Sequence, residues 1–163
     1  MQTFFIVMKY KLLSKDQFDE LHREFIKFLS SNLITKEEWT ALKSKKPDVA
    51  QQYLQKFSDI VWENVLKKVK FLENINLNYM YLFKINIDSI SLIGLKVNNT
   101  KLDLRYKEGI KWLRENLMSD DVEIFTAQKK IGKDKEQKIF SLIEQGACIT
   151  KGNLFKYFAE LIV

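Results

Sequence analysis

Carboxylates placed to share a task stand out first. Asp59 and Glu63 lie four residues apart, so on a helix both project from one face. Like charges at that spacing repel, and a metal ion or a partner arginine would compensate them. Lys67, four residues past Glu63 in the favourable acid-before-base order, offers the plainer reading of a solvated salt-bridge face. Asp120, Asp121 and Glu123 in SDDVEIF form the densest acidic cluster. Oxygen ligands from one loop suit Mg²⁺ or Ca²⁺, although EF-hand spacing is lacking and Ser-Asp-Asp equally suits a turn.

The nucleophile and soft-ligand inventory is short. His22 is the only histidine and Cys148 the only cysteine. That pair falls short of the four ligands of a structural zinc site, and any triad would have to use His22 itself. With one cysteine no internal disulfide forms, which fits a reducing compartment. The five glycines build neither a Walker loop nor G-x-G-x-x-G, and there is no G-x-S-x-G, H-E-x-x-H or C-x-x-C. This argues against motif-based catalysis and calls for no cofactor. A scattered carboxylate site needs no local motif, so a small carboxylate enzyme stands as a third reading.

Basic residues point to binding. The net charge is +6, and only Arg23, Arg105 and Arg114 of the 27 basic residues are arginine. Lysine is the weaker fork for phosphate and base edges, which tempers a nucleic-acid reading. The candidate anion or nucleic-acid contacts are Lys43, Lys45, Lys46, Lys129, Lys130, Lys133, Lys151 and Lys156. The last two fall in GACITKGNLFKYF, residues 146–158. Read for function, this stretch is a helix start that attracts phosphate, with Gly152 allowing close approach and Phe155 or Tyr157 stacking on a base. Read for structure, Gly146 ends one helix, Cys148 and Ile149 make a buried link, Thr150 caps the next helix, and Phe155 and Phe158 enter the core.

These residues need elements to hold them. Ser14-Lys15-Asp16-Gln17 and Thr35-Lys36-Glu37-Glu38 are capping boxes. The first opens a helix over about 15–30, with Phe18, Leu21, Phe25, Phe28 and Leu29 at helical spacing. The second opens a short helix carrying Trp39 and Leu42. Pro47 suits a first helical turn, and a long helix follows to about Glu73 with an apolar arc through Phe57 and Val61, both expected to be buried. YMYLFKI (79–85) and SISLIGLKV (89–97) read as a hairpin, in which Gly94 signals a bulge or a close backbone approach. Helices follow at 106–117 and 133–145, a strand at 122–128, and a last helix from Thr150. The expected class is α+β: a small antiparallel-type sheet (hairpin about 79–97 plus a strand about 122–128) packed with about five to six helices.

A chain of 163 residues, 46% hydrophobic and 29% charged, suits one globular domain and has no stretch near the roughly 20 apolar residues of a membrane span. Residues 1–7 are read as an optional extension, with Met8 as an internal start and 8–163 as a single globular domain. A short first strand or packing arm over 1–7 is the alternative.

Taken together, MKYKLLSKDQFDELHREFIKFL, KPDVAQQYLQKFSDIVWENVL, LFKINIDSISLIGLKVNN, GIKWLRENLMSDDVEIFTAQK and IEQGACITKGNLFKYFAELI resemble an uncharacterised protein family of the Bacteroidota, from Met8 to about Ile162. The resemblance implies one intact domain in a bacterial cytoplasm. It brings no active site, cofactor or partner, because the family's function is unknown. The resulting expectation is a non-catalytic accessory protein that binds a larger assembly chiefly by protein contacts. An RNA- or ribosome-associated protein using lysine-rich patches is the alternative.

Overall fold

Both capping boxes form. Ser14 Oγ accepts the Gln17 N–H and Gln17 returns the bond; Thr35 and Glu38 do the same. They start α1 (Lys15–Glu20) and α3 (Lys36–Lys45) of a computed structural model that describes residues 8–162. The readings made for residues 1–7 lie outside the described residues. Backbone contacts divide the chain after Lys67 into two units.

The first unit is helical. The single helix expected over 15–30 is two: Leu21, with a non-helical ψ, separates α1 from α2 (His22–Ser31). Helix α2 stops where Leu33 takes φ 60° and Ile34 N–H bonds back to the Leu29 carbonyl, the pattern of a left-handed C-cap. Pro47 opens α4 (Pro47–Lys67), as its missing N–H allows. Phe57, 3% exposed, sits among the rings of Phe18, Phe25 and Phe28, at 5.1–5.9 Å between centroids. Val61 is only half-buried, a correction, because the buried line of α4 runs through Ala50, Phe57, Ser58 and Leu66 and leaves Val61 at its border.

The second unit is built on a five-stranded antiparallel sheet in the order β4-β3-β2-β1-β5: β1 (Phe71–Ile75), β2 (Tyr79–Ile85), β3 (Ser89–Val97), β4 (Val122–Lys130) and β5 (Cys148–Thr150). The long helix was expected to reach Glu73; it ends at Lys67, and FLENI pairs as β1 instead. Helices α5 (Lys107–Glu115) and α7 (Asn153–Ile162) join Met80, Leu82, Ile93, Leu95 and Val97 in the main core through Leu113 and Phe158. The opposite face, with Phe83 and Leu92, is lined by α6 (Lys135–Glu144). Gly94 is a close approach: a Cβ there would lie 2.0 Å from the Phe125 ring. With seven helices and five antiparallel strands among the described residues, the α+β class holds.

Candidate functional site

Strand register decides what the lysines can do together. Phe71 pairs with Lys84 on one side and with Thr150 on the other, and Ser89 pairs with Lys130. Ile85 N–H bonds to the Lys70 carbonyl, and Ile131 N–H to that of Asp88. One end of the sheet therefore carries Lys70, Lys84, Lys129 and Lys130, with Lys151 directly after β5 and Lys133 three residues after β4, all exposed. Lys156 joins them from the first turn of α7, its Nζ 5.0 Å from the Phe71 ring centre and 3.3 Å from the Lys151 carbonyl oxygen. Five of the eight candidate lysines, Lys129, Lys130, Lys133, Lys151 and Lys156, thus gather at one end of the sheet, together with Lys70 and Lys84, which were not among the candidates. At its tip the β2–β3 turn holds out Ile87, 96% exposed. A sheet end richer in lysines than in carboxylates favours an anionic neighbour.

The other end holds the acidic cluster together with Lys96. Asp120 and Asp121 precede β4, Asp121 accepts the Asn98 N–H through its carbonyl, and Glu123 stands across from Lys96. Among the described residues no three acidic, histidine or cysteine side chains are grouped to hold a metal ion.

Lys43, Lys45 and Lys46 belong to the helical unit and line two separate clefts. Lys43 shares a cavity of about 470 Å³ between α2 and α3 with His22, Lys36, Phe25 and Trp39. Lys45 and Lys46 line the other flank of α3 with Val49 and Tyr53.

The stretch 146–158 corrects several expectations. Gly146, at φ 110°, does end α6. Cys148 and Ile149 are not a buried link; they form the exposed edge strand β5, and Cys148 is an exposed free thiol. Thr150 does not cap α7. It ends β5, and its Oγ1 accepts the Gly152 N–H at 3.1 Å, closing a turn two residues before the helix. Gly152 opens no path to a ligand: at φ 83° its Cα faces the Phe71 ring, which a Cβ would meet at 2.3 Å. Phe158 is core, whereas Phe155 is half-buried against Phe71.

Asp59 and Glu63 are engaged in a way the sequence did not reveal. Asp59 accepts the backbone N–H groups of Lys9 and Tyr10 at 2.8 and 2.9 Å, and Glu63 accepts from Lys9 Nζ at 3.2 Å and from the Tyr10 hydroxyl. The Tyr10 hydrogen bond foremost holds the Glu63 carboxyl below its usual range, against desolvation, with Lys9 and Lys67 adding to the effect. The pair is a clamp for the segment that precedes α1.

A family profile matches residues 8–163, from the clamped segment through the last helix. The chain belongs to the DUF6495 family, a family of unknown function. No curated protein and no solved structure matches it. The DUF6495 chain has no helix long and apolar enough to cross a membrane among its described residues.

Proposed function

We propose that this protein is a non-catalytic accessory component that docks onto a larger macromolecular assembly, chiefly by protein contacts, in a bacterial cytoplasm and most fittingly in the Bacteroidota. The observation that carries the reading is the cationic end of the sheet, with Ile87 at its tip. An exposed apolar side chain at a lysine-rich sheet end suits an acidic protein surface with a small apolar pocket. The charge steers encounter, and the buried tip supplies affinity.

The same lysines favour RNA as the second reading, since phosphate neutralisation needs only a cationic track. Tagged full-length protein, captured from its native cells with and without nuclease, separates the two. A partner that survives nuclease and is lost in Ile87→Asp supports protein docking. Recovery of RNA-dependent partners alone, unaffected by Ile87→Asp, supports RNA.

A further inference from the structure

Strand β4 is a nine-residue edge. All nine of its residues pair with β3 on one side, and among the described residues no strand pairs with it on the other. Thr126 through Lys130 are exposed, as is Phe125 at 44%. The open side presents backbone groups in a definite pattern. Asn98 N–H bonds to Asp121 O and Ile131 N–H to Asp88 O, both at 2.8 Å and both in the β3–β4 register. Hydrogen-bonded pairs alternate along an antiparallel ladder, so the odd-numbered residues of β4 bond to β3. The N–H and C=O groups of Ile124, Thr126, Gln128 and Lys130 and the C=O of Val122 therefore point outward, while the Val122 N–H is held by the Ser119 carbonyl at 3.0 Å. Such an edge is a template for another strand unless something blocks it.

The charge along the strand selects the partner. VEIFTAQKK is acidic at its start and basic at its end. Laid antiparallel on a second copy of itself about Thr126, it brings Glu123 opposite Lys129 twice, Phe125 opposite Ala127 on the same face, and Ile124 opposite Gln128. Every outward-bonding residue meets another outward-bonding residue, so about eight backbone hydrogen bonds form along the strand. Glu123 and Lys129 fall in the closer, non-hydrogen-bonded pairs, where opposite charges attract across strands. The terminal lysines that would otherwise guard an edge become complementary in this one arrangement, whereas a parallel pairing would set like charges side by side.

We infer that β4 is a homodimer interface, joining two sheets into one ten-stranded antiparallel sheet about a two-fold axis at Thr126. Lys70, Lys133, Lys151 and Ile87 lie off this interface, so docking and dimerisation are separable.

Sedimentation equilibrium on the full chain tests this, with melting temperature recorded for each variant. The wild type is expected to show a reversible monomer–dimer equilibrium. Thr126→Pro removes one outward N–H without touching the β3 ladder and is expected to be monomeric. Lys129→Glu and Glu123→Lys are each expected to weaken self-association at least tenfold. Mixing these two variants restores both charge pairs and is expected to give a heterodimer of near wild-type affinity. A wild type that stays monomeric at submillimolar concentration would overturn the inference. So would a dimer indifferent to both Thr126→Pro and Lys129→Glu, or folded charge variants whose mixture fails to associate.

Discussion

Phe57 concentrates the aromatic packing of the helical unit, with three phenylalanine rings around it and almost no exposure. Removing its ring leaves a cavity that rigid neighbours refill poorly. Phe57→Ala is expected to cost about 3–5 kcal/mol in chemical denaturation; a loss below about 1 kcal/mol would contradict the packing described. Gly152 is fixed by two independent constraints, its φ of 83° and the Phe71 ring. Gly152→Ala is therefore expected to lower stability by more than about 1 kcal/mol, seen as a drop in melting temperature. Helical spacing disclosed Phe57 because the apolar period of α4 is a local signal, whatever the helix packs against. The role of Gly152 stayed hidden, because it depends on Phe71, 81 residues away, across a strand that helical periodicity had absorbed.

At the scale of elements, the bonds that Glu63 makes to Lys9 and Tyr10 make the segment before α1 sensitive to acid. The folded Glu63 pKa lies below its unfolded value. Its contribution is therefore fully present above the unfolded pKa and is lost as pH falls through the folded one. Hydrogen exchange at the Lys9 and Tyr10 amides is expected to accelerate relative to the amides of α4 below the ordinary carboxylate range, and Glu63→Gln should remove part of that pH dependence. Unchanged protection into strong acid would argue against the clamp. Capping boxes, Pro47, Gly146 and the hairpin were all legible, since each rests on local chemistry. Strands β1 and β5 were not. FLENI continues the apolar period of α4, and CIT is too short for any period; both exist as strands through pairing with β2 and with each other. The acid pair was visible as a pair, but its partners at Lys9 and Tyr10, 50 residues upstream, were not.

For the whole molecule, antiparallel register gives the sheet a lysine-rich end, with Lys70, Lys84, Lys130 and Lys151, while Asp120, Asp121 and Glu123 lie at the other, where Glu123 stands across from Lys96. The sequence showed the lysines singly; only the strand order shows which of them share an end of the sheet, while Lys43 and Lys45 belong to α3 of the helical unit and Lys46 follows it. The most direct test of this arrangement is quantitative capture of the bound partner by two charge-reversed proteins of equal melting temperature. Lys133→Glu with Lys151→Glu, at the cationic end and clear of β4, is expected to weaken capture about tenfold, equivalent to roughly 1.4 kcal/mol. Lys43→Glu with Lys45→Glu, of equal charge change on α3, is expected to capture as the wild type does. Equal losses from both proteins, or none from the first, would contradict docking at the cationic end.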